Sequence, residues 1–337
     1  MNDYFAFQWH ILDGCDQRCK HCYIDFENGL NAMSLDDIES VLDNCLKMCE
    51  TTGKIPYFSI TGGDPILHPN FWQLIERLHD NDLKYNVMGN PFHLTSDVCL
   101  RLKDMGCRQY QMSLDGLRKT HDYFRMKGSY DATLSKVKTL RDAGIKTAIM
   151  TTVSKVNIRQ IPWIIDEVVR NKVDLYSFAR YCPTGGDESN LIEPHEYRNL
   201  LENVWKKFSE YKYSNTLFSL KDHLWTLFLY EKGLFEISPD LNDDVIYGGC
   251  NCANSHLTIL PNSDVFACRR MESKVGNALN DDLVDVFNGD SLSQFRKYGE
   301  FEKCVNCELL RFCRGCPAVS YGYTNNMYSA DPQCWKT

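Results

Sequence analysis

Gly14-Cys15-Asp16-Gln17-Arg18-Cys19-Lys20-His21-Cys22-Tyr23 directly follows Tyr4–Leu12, an apolar run with the makeup of a buried strand. Three thiols at C-x3-C-x2-C spacing cannot pair off as disulfides without leaving one over. A tight loop can instead aim all three at one soft metal centre, and thiolates are the ligands that iron–sulfur clusters select. Three protein ligands on a four-iron cluster leave one iron open to bind a molecule. A zinc site would ask for a fourth Cys or His at finger spacing, and the stretch offers none. His21, between two of the thiols, is expected to face away from them.

The composition narrows the class. A chain of 337 residues with 43% hydrophobic content can bury a substantial core. Net charge is −8, which argues against a nucleic-acid surface. No apolar run is long enough to span a bilayer, and no basic-then-apolar signal opens the chain. A cytoplasmic protein without membrane or nucleic-acid partners is expected. Sixteen cysteines are then too many for disulfides and read as metal or redox chemistry. Three stand at 15–22 and eight at 250–334, while Cys45, Cys49, Cys99, Cys107 and Cys182 are scattered. Cys45 and Cys49 lie on the apolar face of a helix opened by Ser34 and read as small core residues.

Past the first loop, short apolar runs alternate with amphipathic stretches. Strands are expected at 57–61, 85–88, 107–114, 145–153 and 173–179, with helices at about 70–79, 96–105, 130–143 and 158–171. Counting Tyr4–Leu12, that makes six β-α units. Such alternation implies parallel strands with right-handed crossovers, and chemistry in the loops after the strands' C-terminal ends. The Cys loop, Gly62-Gly63-Asp64, Gly89-Asn90, Ser113–Gly116 and Cys182–Gly186 all fall there. The spacing predicts two bridging helices at 194–212 and 216–232. A Cys-rich region from 247 follows, with a hairpin at 257–266 turning at Pro261-Asn262-Ser263.

The Cys triplet, its place after the first strand and the Gly62-Gly63-Asp64 loop after the second together resemble the radical S-adenosylmethionine (radical SAM) enzymes. That resemblance implies α/β architecture: a partial (β/α)6 TIM-like barrel. Cys15, Cys19 and Cys22 would hold a [4Fe–4S] cluster whose open iron chelates S-adenosyl-L-methionine. Reductive cleavage then yields a 5′-deoxyadenosyl radical. Tyr23, Gly62, Gly63 and Asp64, which stands where the family more often has Glu, would bind the cofactor. Ser113, Asp115 and Arg125 are further candidates for that role. Gly89-Asn90 stands where relatives have Asn-Gly, so Asn90 receives no role.

The later cysteines resemble the SPASM domain, a radical SAM extension with two auxiliary clusters. The departures are Ser263 in place of Gly and a spacing of two residues, not three, before Cys316. By this resemblance Cys304, Cys307, Cys313 and Cys334 hold an outer cluster. Cys250, Cys268 and Cys316 hold an inner one, with Cys252 its fourth ligand. Three [4Fe–4S] clusters are therefore expected, and the chain divides into a barrel (1–190), bridging helices (191–246) and a SPASM domain (247–337). A non-catalytic cluster carrier would have no use for the Gly62–Pro65 loop.

SPASM enzymes mostly modify ribosomally made peptides or protein side chains. The resemblance implies an oxidoreductase that crosslinks a peptide (thioether or C–C) at an unactivated carbon. It would be served by an electron donor such as flavodoxin or ferredoxin. With the first strand starting so close to Met1, leader recognition would fall to a separate peptide-binding protein or to the barrel mouth. The alternatives are an epimerase with Cys182 as hydrogen-atom donor, a formylglycine-type maturase and a small-molecule dehydrogenase. Arg180, beside Cys182, is a candidate contact for cofactor or peptide carboxylate.

Overall fold

The computed structural model describes residues 4–24, 31–183, 188–242 and 245–336. The six expected strands form as β1 (Tyr4–His10), β2 (Ile55–Thr61), β3 (Lys84–Met88), β4 (Gln109–Ser113), β5 (Lys146–Val153) and β6 (Leu175–Arg180). Each pairs parallel with the next. The crossovers carry α1 (Leu35–Thr52), α2 (Phe71–Asp80), α3 (Ser96–Asp104), α4 (Arg118–Phe124), α5 (Ser129–Asp142) and α6 (Ile161–Arg170). The Ser34 side chain accepts from the Asp37 amide and caps α1. Cys45, Cys49, Cys99 and Cys107 are buried in the core.

Two features of the sheet differ from expectation. The stretch 216–232 is not one helix: β7 (Leu217–Phe218) comes first, and the second bridging helix is short. β7 pairs parallel with the edge of β6, the Leu217 and Ser219 amides donating to the Asp174 and Tyr176 carbonyls. Unpaired edge groups on β6 override the local helical pattern. α7 (Pro194–Glu210) and α8 (Leu224–Glu231) follow the barrel. Trp225 of α8 packs on Phe178, Trp205 and Phe208, which gives this apolar helix its partner.

The second difference lies at the opposite edge. The expected hairpin forms as β8 (His256–Ile259) and β9 (Asp264–Phe266), followed by β10 (Lys274–Asn277). β8 also pairs parallel with β1, so the Cys-rich region continues the barrel sheet. The strand order is β10-β9-β8-β1-β2-β3-β4-β5-β6-β7, and the sheet is not closed. Three helices, α9 (Leu283–Asn288), α10 (Asp290–Ser293) and α11 (Pro317–Thr324), complete the described chain. No described helix is long and apolar enough to cross a membrane.

Candidate active site

The loop after β1 presents Cys15, Cys19 and Cys22 to a cavity of about 1490 Å³. Donors converge on their sulfurs. The Asn90 side chain donates to Cys15 Sγ at 3.2 Å, the Gln17 amide to Cys15 Sγ at 3.4 Å and the Ile24 amide to Cys22 Sγ at 3.4 Å. Arg125 reaches Cys19 Sγ at 3.7 Å. Burial pushes all three thiols above their ordinary range. Three thiolates in one short loop therefore need a cation among them, which iron supplies, while the N–H donors already point at the sulfurs.

Gly62 and Gly63 line the same cavity. Their backbones lie against the Cys loop: the Gly63 amide donates to Leu12 O at 2.9 Å, and the Asp64 amide to Gly14 O at 2.9 Å. A side chain on Gly63 would overlap the Gly14 carbonyl. The glycines thus let β2 clamp the Cys loop from below. Asp64 is fully buried behind them, its Oδ2 has no partner, and burial lifts its carboxyl to about 7. An unpartnered buried carboxylate beside the loop fits the ammonium group of S-adenosylmethionine.

The other expected cofactor residues sort into two groups. Ser113, Tyr23 and Arg125 line the cavity. Tyr23 stacks under the Arg269 guanidinium at 4.7 Å, and its carbonyl accepts from that side chain, so the Cys loop touches the SPASM region here. Asp115 is placed differently from the expectation of a cofactor contact. It is buried behind Arg125, accepts from Arg125 Nε at 2.5 Å and from the Thr152 amide at 2.8 Å, and has His21 Nε2 at 3.5 Å. Its position suits holding Arg125 rather than touching a ligand.

Arg180 is likewise spoken for. Its Nε donates to Asp222 at 2.8 Å, its two terminal nitrogens to Asp331 at 2.6 and 2.8 Å, and one of them also to Gln333 at 2.7 Å. The side chain is fully buried. With its charge answered by two carboxylates, it holds the barrel, the start of α8 and the C-terminal segment together instead of reaching a cofactor or substrate carboxylate.

The same cavity is also lined by Cys182, Cys250, Cys252, Cys268 and Cys316. Cys252 lies beside Cys250 and Cys268, and Cys182 beside Cys316. Cys316 is held at about 6, chiefly by the hydrogen bond from Cys182 and further by Arg270, which stands 3.5 Å from its Sγ. His223 hydrogen-bonds Cys250. The Cys316 amide donates to Asp331 Oδ2 at 2.8 Å, so one carboxylate serves both Arg180 and this loop. Cys304, Cys307, Cys313 and Cys334 converge separately, and burial pushes Cys304 and Cys313 to about 12. Two four-thiol sets can therefore be drawn from the nine cysteines, as auxiliary clusters require.

Residues 9–168 match the radical SAM superfamily, and residues 250–317 match the SPASM iron–sulfur cluster-binding domain. The chain is a radical SAM protein with a SPASM domain. Iron–sulfur clusters and S-adenosylmethionine binding follow from both matches. The AdoMet-dependent heme synthase of Methanosarcina barkeri is 26% identical to this radical SAM chain over 97% of its length and 95% of its own. The mycofactocin maturase MftC of Mycobacterium tuberculosis is 23% identical, over 97% of this chain and 81% of its own. Streptococcus suis SuiB, solved with S-adenosylmethionine, superposes with a TM-score of 0.77 at 22% identity, covering 99% of this chain and 77% of SuiB. SuiB has also been solved bound to its precursor peptide SuiA.

Sequence reasoning gave Asn90 no role, and passed over Arg270, His223, Asp222 and Asp331. Asn90 sits in a loop whose residue order departs from the family pattern. The other four lie next to recognisable features, but only the fold shows what they touch.

Proposed function

We propose that this enzyme oxidises a ribosomally made peptide at an unactivated carbon, forming a thioether or carbon–carbon crosslink. The observation that carries the reading is that one cavity is lined both by the Cys15–Cys22 loop and by Cys250, Cys268 and Cys316. When bound, the first cluster and S-adenosylmethionine supply a 5′-deoxyadenosyl radical. Asn90 and Arg125 orient the loop sulfurs, Gly62 and Gly63 fix the loop height, and Asp64 holds the cofactor's ammonium group. A crosslink leaves a surplus electron on the substrate, and the inner cysteine set stands where a cluster could receive it. Cys182, packed in one cluster with Cys268 and Cys316, suits that cysteine set better than a free hydrogen-atom donor, which favours oxidation over epimerisation. That SuiB has been solved bound to a precursor peptide supports a peptide as the substrate.

A second reading rests on the cavity's charge. Lys20, Lys221, Arg269 and Arg270 line it, so it suits a substrate with carboxylates. The name of the Methanosarcina barkeri relative makes a tetrapyrrole with carboxylate side chains the matching small molecule. Mass spectrometry after turnover separates the two readings. A candidate precursor peptide two hydrogens lighter supports the first. Carbon dioxide lost from a carboxylate-bearing iron porphyrin, with the peptide unchanged, supports the second and overturns the first.

A further inference from the structure

Five thiols, not four, surround the inner auxiliary site, and the fifth comes from the barrel. Cys182 follows β6, and its thiol lies beside that of Cys316. It packs in the same small cluster as Cys252, Cys268 and Cys316.

Three contacts fix this pairing across the domain junction. Asp331 grips Arg180, two residues before Cys182, and with the same carboxylate accepts from the Cys316 amide. Pro183, the next residue, lies against α11, which starts directly after Cys316. A side chain on Gly322 of that helix would begin 2.5 Å from Pro183 O, so the two backbones touch. Arg270 spans both sides, donating to Arg180 O at 3.3 Å and standing 3.5 Å from Cys316 Sγ. One carboxylate, one glycine and one guanidinium therefore set a barrel cysteine against a SPASM cysteine.

We propose that Cys182 is a ligand of the inner auxiliary cluster, completing a set with Cys250, Cys268 and Cys316 and taking the position Cys252 would otherwise fill. The proposal rests on the reading that two auxiliary clusters are present. Cys252 lies beside Cys250 and Cys268, and Cys182 lies beside Cys316. A four-thiol set drawn as two from each group takes Cys182 together with Cys316. On ligation the Cys182 thiol gives its proton to solvent, and the Arg270 guanidinium offsets the added negative charge. The inner cluster then joins barrel to SPASM domain through covalent metal bonds.

The test uses the full chain carrying Cys15→Ala, Cys19→Ala and Cys22→Ala, reconstituted anaerobically with iron and sulfide, so that only auxiliary clusters contribute. Iron content and electron paramagnetic resonance are read on this parent and on added Cys182→Ala, Cys182→Ser and Cys252→Ala changes. The parent should hold about eight iron per chain. Cys182→Ala should lose about one iron and show a three-iron signal. Cys182→Ser should keep its iron with a shifted reduction potential, and Cys252→Ala should match the parent. An unaltered outer-cluster signal shows that each variant has folded. Cys182→Ala with the parent's iron and spectrum, alongside loss in Cys252→Ala, would overturn the proposal and leave the two-cluster reading standing. A parent with only about four iron would remove that reading and the proposal with it.

Discussion

Asp115 accepts from Arg125 Nε at 2.5 Å, and the same guanidinium reaches Cys19 Sγ at 3.7 Å. A fully buried carboxylate thus aims a cation at a cluster-loop sulfur. Charge and hydrogen bonds at ligand sulfurs set cluster potentials. Arg125→Ala is expected to lower the first cluster's potential by on the order of tens of millivolts, making the cluster harder to reduce. Asp115→Asn should shift the potential less, since the cation remains but is held less firmly. Potentiometric titration followed by spin resonance reads both. An unchanged potential in Arg125→Ala would contradict the arrangement.

Gly63 bears on loop geometry rather than charge. Its substitution by Ala forces the added methyl into the Gly14 carbonyl, so β2 or the Cys loop must move. Gly63→Ala should cost roughly 1–3 kcal/mol and reduce iron retained by the first cluster, with auxiliary iron unaffected. Thermal denaturation and iron analysis of the purified variant check this.

Asp64 sets a pH dependence. Burial raises its carboxyl to about 7, while the unfolded chain ionises it in the ordinary carboxylate range. In protein free of S-adenosylmethionine its contribution to stability is full below that range and lost as pH rises through about 7. Asp64→Asn removes the dependence. The variant should gain on the order of 3 kcal/mol over wild type at pH 8 and little at pH 4. Its affinity for S-adenosylmethionine should fall roughly tenfold, for want of a charge-assisted hydrogen bond. Melting curves across pH and equilibrium binding measure the two effects. A wild-type protein whose stability rises through this window would refute the assignment.

Asp331→Ala leaves the buried Arg180 charge with Asp222 alone and the Cys316 amide without its acceptor. A cost of about 3–5 kcal/mol is expected, well above that of a surface ion pair. The inner site should also lose iron before the first cluster does. Chemical denaturation with iron release followed in parallel reads the order of loss.

The barrel was legible because its signals are local. Each strand is a short apolar run, each helix an amphipathic one, and Cys15, Cys19 and Cys22 lie within eight residues. What escaped depends on distant partners. Thr216–Leu220 fits a helix or a strand until β6 offers a free edge. β8 joins β1 across about three-quarters of the sequence. A single Arg180 beside a cysteine reads as a ligand contact, because nothing nearby announces Asp222 or Asp331. Cys182 stood out in the sequence, but its nearness to Cys316 emerges only when the C-terminal segment folds back on the barrel.

The most direct measurement is release of 5′-deoxyadenosine from S-adenosylmethionine by the reduced, cluster-loaded chain, set against the Cys15→Ala, Cys19→Ala, Cys22→Ala triple variant. Wild type should produce it, and the variant, with its auxiliary iron intact, should produce none. Equal release from both, or none from wild type carrying its full complement of iron, would contradict the account.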